Sequence, residues 1–229
     1  MDRNSLDPNT VLLSNVVSTA TLNMNVNLTE IAWRLNGEYA PASFAACQLR
    51  LLKPASTALI FGSGRVVCTG ASSESAARMN IWIFVRLIKQ AIHPELKITS
   101  ISIQNLVASA TLGCFVKIDD LAKQYALDSI LDVSLFPGLR LSIDKPKVKI
   151  LVFIRGKVVL TGGRTRDDLL KAFAVARKII DPHCTTENFS HKVLQTRKNA
   201  SKKIKVTEEV HSDPEVDVAD LLGDLTGLE

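Results

Sequence analysis

Two short stretches each set a side-chain amide in an otherwise apolar run. They are "LLSNVVSTATL" (12–22) and "ISIQNLVASATL" (101–112), and the amides are Asn15 and Asn105. A carboxamide offers two donors and one acceptor without a charge, so it reads a partner's hydrogen-bonding groups and does not move protons. Four phenyl rings, Phe44, Phe61, Phe136 and Phe153, also recur at matched places along the chain. A lone strand Phe is ordinarily core filling, but matched pairs ask for another reason. Catalytic chemistry is poorly supplied. His93 and His183 sit beside helix-ending prolines, and His191 and His211 lie in the C-terminal tail. No paired-carboxylate or Ser/His/Asp arrangement can be argued. "GSGR" (62–65) lacks the G-K-[ST] of a phosphate loop, and "TRDD" (165–168) reads as the acidic first turn of a helix. The chain reads as a binding module, not an enzyme, with no cofactor and no metal.

The elements that carry these residues are written twice. "FGSGRVVCTG" (61–70) and "FIRGKVVLTG" (153–162) agree at six of ten positions. The stretches around Asn15 and Asn105 pair at an offset of 90 residues. "SFAACQLRLLKP" with "LFPGLRLSIDKP", and "TALIFGSGRVVCTG" with "KILVFIRGKVVLTG", pair at 92. So long a period is a duplicated half-domain, not a solenoid. Each half predicts a strand (12–22; 101–112), a short helix (28–35; 118–125), three strands (44–52, 57–62, 65–70; 139–144, 148–154, 157–162) and a long amphipathic helix (73–91; 165–180). Gly62-Ser63-Gly64 and Arg155-Gly156 supply hairpin turns. Ser72 or Ser73 caps the first long helix, and Pro94 and Pro182 stop the two. The fold class is α+β, a curved antiparallel sheet with helices on one face. The expected boundaries are a short N-terminal segment 1–11, repeats 12–98 and 99–183, and a tail 184–229.

Strand side chains alternate between faces. Val66, Cys68, Ala58 and Ile60 take the face under the helices. The other face should be polar if it met only water. It reads Leu59, Phe61, Val67 and Thr69, then Leu151, Phe153, Val159 and Thr161, with Val17 and Val107 beside the amides. An open apolar strip of this kind marks an interaction surface. A second layer or an obligate dimer would also cover it.

Composition agrees with a folded body. The chain has 229 residues, 46% hydrophobic, with a net charge of +5. Residues 191–229 carry six Lys/Arg and eight Asp/Glu, so the remainder is the basic part, and a basic body admits a polyanion partner. Cys47, Cys68, Cys114 and Cys184 lie far apart with no C-x-x-C, which argues against a zinc site or disulfide framework and for a reducing compartment. No secretory signal is visible, and "IWIFV" (81–85) is too short to span a bilayer. A soluble intracellular protein without a membrane partner is expected. In the tail, "RKNASKKIK" (197–205) is a basic run and "VDVADLLGDLTGL" (216–228) an acidic-hydrophobic one; both are expected to be disordered alone.

At "EYAPASFAACQLRLLKPASTALIFGSGRVVCTGA" (38–71) and "LFPGL…KPKVKILVFIRGKVVLTGG" (135–163) the chain resembles the TATA-box-binding protein family, saddle-shaped initiators of transcription, over about residues 12–183. The resemblance implies a pseudo-two-fold saddle whose concave sheet presses on the minor groove of A·T-rich promoter DNA. That family is itself a standing example of minor-groove wedging and kinking, so the geometry is the family's own. It places Phe44, Phe61, Phe136 and Phe153 as wedges and Asn15 and Asn105 as central donors. Val17, Val107, Leu59, Leu151, Val67, Val159, Thr69 and Thr161 become the groove floor, and Arg50, Arg65 and Lys157 lie near phosphates. It also implies nuclear action, transcription factor IIA- and IIB-like partners, polymerase-associated factors and self-dimerisation when free.

The chain departs from the family pattern at Ser43 and Ser142, where basic residues are usual, which lowers the expected phosphate affinity. Asp132-Val133-Ser134 replaces two Glu around a Pro, and Trp82 and Ile83 replace a basic pair on the first long helix. Retention on the concave side with divergence elsewhere implies DNA binding kept and partners rewired. The alternative is a related factor of weak DNA selectivity that acts mainly as a protein scaffold in a promoter or small-nuclear-RNA-gene complex.

Overall fold

The computed structural model describes residues 5–7, 11–132 and 134–187; the expectations for the tail lie outside them. The first strand pair is β1 (Ser5–Asp7) on β2 (Val11–Leu22). Then come α1 (Leu28–Leu35), β3 (Ala46–Leu52), β4 (Ala55–Phe61), β5 (Arg65–Ala71) and α2 (Glu74–Ala91). The second half runs β6 (Ile98–Thr111), β7 (Phe115–Val116), α3 (Ile118–Gln124), β8 (Ser129–Ile130), β9 (Leu139–Ile143), β10 (Val148–Val152), β11 (Lys157–Gly163) and α4 (Arg166–Ile180). A 3-10 turn and β12 (Cys184–Thr185) follow.

One curved antiparallel sheet has the order β3-β4-β5-β2-β6-β11-β10-β9-β8. The order is a near-mirror about β2 and β6, as a duplicated unit demands. In that central pair Asn15 faces Val107, Val16 faces Leu106 and Val17 faces Asn105. The residues exchanged are repeat-mates, so the pseudo-two-fold axis passes between Val16 and Leu106.

Local sequence explains the helices. Asn27 caps α1 by accepting from the N–H groups of Thr29 and Glu30, and Ser73 caps α2 by accepting from Ala76. Thr165 and Asp168 form a reciprocal capping box at α4, which leaves the acidic first turn where its helix dipole favours it. The apolar faces of α1 and α2 cover one side of the sheet with Ile31, Ile81, Phe84 and Ile88 against Cys47, Leu49, Ala58, Ile60, Val66 and Cys68. Burial pushes the Cys68 thiol up to about 12, so it is an inert core group. Leu169, Ala172, Phe173 and Ala176 are the matching buried positions of α4.

On the axis, the first residues of α2 and α4 meet. Arg166 donates from Nε and Nη2 to the two carboxylate oxygens of Glu74 at 2.8 and 2.7 Å. These residues are repeat-mates, 92 positions apart. The pairing holds the Glu74 carboxyl below its usual range, and it offsets a cation that the N-terminus of α4 would otherwise disfavour.

Two expectations are corrected. Cys114 and Cys184 are joined as a disulfide across a separation of 70 residues, against the reading of four unpaired thiols. The cause is non-local: β12 returns beside β7, Cys184 opposite Val116. The first half makes the same return from helix to strand end by hydrogen bonds, in which Asn23 accepts from the Lys97 N–H at 2.7 Å and donates to the Glu95 carbonyl at 3.5 Å. The second correction concerns the strand expected from residue 44, which starts at Ala46. Phe44 lies in the preceding turn, its N–H donating to the Ala40 carbonyl.

Candidate nucleic-acid interface

The side of the sheet away from the helices carries the amides. The pairing of β5 on β2 slips between Ser18–Cys68 and Val16–Ala71, and that of β11 on β6 slips between Ala108–Leu160 and Leu106–Gly163. Each slip is a one-residue bulge, at Thr69-Gly70 and at Thr161-Gly162. Gly70 and Gly162 take φ of 101° and 100°, which a side chain would strain. The bulges turn one N–H of each strand onto an amide. The Gly70 N–H donates to Asn15 Oδ1 at 2.9 Å, and the Gly162 N–H to Asn105 Oδ1 at 2.8 Å. A backbone N–H can face only an acceptor, so the amide orientation is determined. Nδ2 then gives one hydrogen to the threonine hydroxyl, at 2.9 Å for Asn15–Thr69 and 3.1 Å for Asn105–Thr161. A second Nδ2 hydrogen is left on each side of the axis. The candidate site is thus two half-buried amides, each oriented by its own bulge.

The rings stand in two pairs at the ends of the face. Phe44 and Phe61 meet edge to face with centroids 6.3 Å apart, and Phe136 and Phe153 do so at 5.6 Å. Phe136, like Phe44, is set by a turn, its N–H donating to the Asp132 carbonyl. Gly138 allows the tighter pair: a Cβ there would stand 2.8 Å from Phe136 and 3.1 Å from Phe153. Its repeat-mate is Ala46.

Between rings and amides, Leu59 pairs with Val67 and Val67 with Thr19; in the second half Leu151 pairs with Val159 and Val159 with Ser109. The expected strip is thus assembled on one face, but it is not uniformly open. Val17, Leu151 and Thr161 are 3%, 9% and 7% exposed. Val17 is a central-strand residue against Asn105, Leu151 lies between Val159 and Arg140, and Thr161 is held by Asn105. Leu59, Val67, Thr69, Val107 and Val159 are half-buried, and Phe44 is exposed. Arg50, Arg65 and Lys157 are exposed on the strands, and Arg50 stands 3.7 Å from Glu38.

Sequence reasoning missed the two bulge glycines and Gly138. A signal for the bulges was present, because Thr-Gly closes both copies of the repeated hairpin. On the opposite side of the sheet, Met79 and Trp82 of α2 are exposed. Among the described residues no group of His, Cys, Asp or Glu could hold a metal ion, and no helix is long and apolar enough to cross a membrane.

Fold and face together define a class: a duplicated half-domain that packs its helices on one side of a shared sheet and leaves the two amides and the two ring pairs on the other. The family model described as "Transcription factor TFIID (or TATA-binding protein, TBP)" matches residues 10–91 and 100–183. The TATA-box-binding protein of Acetabularia peniculus is 40% identical over 172 residues, 74% of this chain and 90% of that protein. TATA-box-binding protein 1 of Arabidopsis thaliana is 40% identical over 162 residues, 70% of this chain and 80% of that protein. Among solved structures, Methanococcus jannaschii TBP superposes with a TM-score of 0.65 at 35% identity, covering 75% of this chain and 98% of its own. The chain belongs to the TATA-binding protein family.

Proposed function

We propose that this chain is a general transcription initiation factor that lays its sheet face in the minor groove of A·T-rich double-stranded promoter DNA. There it wedges Phe44/Phe61 and Phe136/Phe153 into two base steps, bends the duplex and nucleates assembly of the initiation complex. The observation that carries the reading is the pair of preset amide donors on the axis, flanked by two ring pairs. A minor groove over A·T pairs presents acceptors at adenine N3 and thymine O2, which the free Nδ2 hydrogens of Asn15 and Asn105 complement. Leu59, Leu151, Val67, Val159, Val17 and Val107, with the methyls of Thr69 and Thr161, lie against the groove floor. A guanine amino group buried there without a partner would cost about 1–3 kcal/mol. Unstacking costs on the order of a few kcal/mol per step, which burial of the rings and phosphate contacts by Arg50, Arg65 and Lys157 offset. The factor acts in the nucleus without catalysis, in company with factor IIA- and IIB-like proteins and polymerase-associated factors. Exposed Met79 and Trp82 favour a second component of the function, a partner surface on the helix side.

The test is binding to a short A·T-rich duplex carrying a fluorophore at each end, against a G·C-rich control. A·T-selective binding with a shortened end-to-end distance, lost in Phe44→Ala/Phe61→Ala, supports the reading. Binding indifferent to sequence and to both rings overturns it and leaves the scaffold role on the helix side.

A further inference from the structure

The corner behind each inner ring is tied differently in the two halves. The hairpin 153–157, which carries Phe153, is closed by the Gly156 N–H donating to the Phe153 carbonyl at 2.9 Å. It leans on the segment that follows β6. The Leu112 N–H donates to the Gly156 carbonyl at 2.9 Å and the Val116 N–H to the Ile154 carbonyl at 2.8 Å. A Cβ on Gly156 would run into the Cys114 carbonyl, so hairpin and Cys114 backbone are in close contact. This segment is joined to the chain after α4 by the two-residue strands β7 and β12 and by the Cys114–Cys184 bond. Strands so short hold little by themselves. In the first half the hairpin 61–65 leans on residues 22–26 in the same way, with the Leu22 N–H on the Gly64 carbonyl at 2.9 Å and the Val26 N–H on the Gly62 carbonyl at 3.0 Å. Its tie to the chain after α2 is made by Asn23, whose N–H donates to the Lys97 carbonyl at 3.0 Å and whose Oδ1 accepts from the Lys97 N–H. One corner is tied permanently, the other by a bond that two electrons open.

Cys114 and Cys184 are only half-buried, so a small reagent reaches them, whereas Cys47 and Cys68 are buried. A partly exposed bridge is of the labile kind, and nuclear thiols stay reduced unless an oxidant intervenes. We propose that Cys114 and Cys184 form a reversible modification site, oxidised by a small disulfide of the glutathione type, that stiffens the Phe153 hairpin and tightens the hold on DNA. One thiolate of the pair attacks a sulfur of the small disulfide, giving a mixed disulfide and releasing one small thiolate. The second protein thiolate then attacks the protein sulfur of that mixed disulfide, closing the bridge and releasing the other. Two electrons pass from the protein pair to the small disulfide, and the two thiol protons end on the two released thiols. A hairpin already fixed against its support has less freedom to lose when its ring enters a base step. The effect falls on the Phe136/Phe153 end alone, since the first half has no thiol in its tie. The gain in affinity rests on the minor-groove reading above; the thiol site itself does not.

The experiment holds the full chain at a series of oxidised-to-reduced glutathione ratios and takes three readings. Mass spectrometry after maleimide labelling of the folded protein should find Cys114 and Cys184 labelled at the reducing end and protected at the oxidising end, with Cys47 and Cys68 unlabelled throughout. Hydrogen exchange should show the Phe153 and Gly156 amides losing protection on reduction, while the Gly64 amide, which closes the first hairpin on the Phe61 carbonyl, keeps its own. Fluorescence anisotropy with an A·T-rich duplex should give roughly two- to tenfold tighter binding in the oxidised form, the scale of ordering one side chain before binding. Cys114→Ser/Cys184→Ser should match the reduced parent at every ratio. A pair that stays in one state across the whole series overturns the reversible site. Equal protection of the Phe153 hairpin in both forms overturns its coupling to the bridge, as does A·T-selective binding of unchanged strength, or an affinity in the double variant that still rises with oxidant. Loss of A·T selectivity at both ends of the series overturns the minor-groove reading and the affinity gain with it, and labelling and exchange then decide the thiol site by themselves.

Discussion

Asn15→Asp separates the fold from the function at one atom. In the structure Asn15 Oδ1 accepts from the Gly70 N–H at 2.9 Å, and its Nδ2 donates to Thr69 Oγ1 at 2.9 Å. An aspartate keeps the first bond and reverses the second, since the threonine hydroxyl can donate. Shape and internal bonding survive, so unfolding should move by no more than about 0.5 kcal/mol, as for a substitution that breaks no buried contact. The outward face changes completely, from a donor to an anion. The lost donor leaves a groove acceptor unpaired, about 1–3 kcal/mol. The new charge adds repulsion of about 2 kcal/mol against a phosphate some 8 Å away at an effective dielectric near 20. Together these predict affinity for an A·T-rich duplex lower by about two to three and a half orders of magnitude, with Asn105→Asp equivalent by symmetry. Fluorescence-anisotropy titration measures the first quantity and thermal unfolding the second. Near-normal affinity in a folded N15D protein would show that the amide points at nothing, and the donor argument would be wrong.

Exchanging the axis pair as Glu74→Arg/Arg166→Glu should restore most of the stability that either reversal alone removes. For a half-exposed bidentate bridge that is about 1 kcal/mol, or roughly 2–4 °C in melting temperature. The bridge holds the Glu74 carboxyl low, so its contribution is full above the ordinary carboxylate range and is lost as pH falls through the lowered value; Glu74→Gln should flatten that acid limb in a pH series of unfolding midpoints. Reducing the Cys114–Cys184 bridge removes a cross-link over 70 residues, worth about 4 kcal/mol on a chain-entropy scale. The unfolding midpoint should fall with reductant in the parent and not in Cys114→Ser. Gly138→Ala should spread the second ring pair toward the 6.3 Å of the first, costing about 1–3 kcal/mol of overpacking by urea titration.

The repeat made much of this molecule readable before any coordinates. Hairpins closed by Gly64 and Gly156, a first long helix opened at Ser73, and strands that alternate between two apolar sets are all local signals, and all stand within two residues of their expected bounds except β6, which begins at Ile98, three residues before the expected 101. The face carrying the amides was legible because its neighbours were apolar where water would have asked for polar ones. What was hidden depends on pairing. Whether Thr69-Gly70 is a plain strand end or a bulge is decided by which β2 residues lie opposite, and those are some fifty residues earlier. Cys114 and Cys184 carry no spacing motif, and only the return of β12 beside β7 brings them together. Val17, Leu151 and Thr161 alternate as expected, but their burial is set by neighbours on other strands.

The places where repeat-mates differ say what duplication within one chain permits. At the axis each residue of one half meets its own counterpart, so two identical copies would set Glu74 against Glu, or Arg166 against Arg, at the start of two helices. An attractive bidentate pair at that point requires the halves to diverge. The same freedom lets the helix exits be tied by Asn23 hydrogen bonds in one half and by a disulfide in the other, without disturbing the sheet between them. It also lets the repeat-mates Gln48 and Arg140 differ while the ring pairs and amides stay alike. Conversely, Asn15/Asn105 with their bulge glycines retain one arrangement, the Gly N–H to Oδ1 and Nδ2 to threonine bonds agreeing to within about 0.2 Å between the halves. The partner proposed above, a short A·T-rich duplex, is itself nearly two-fold, which fits the symmetry of that face.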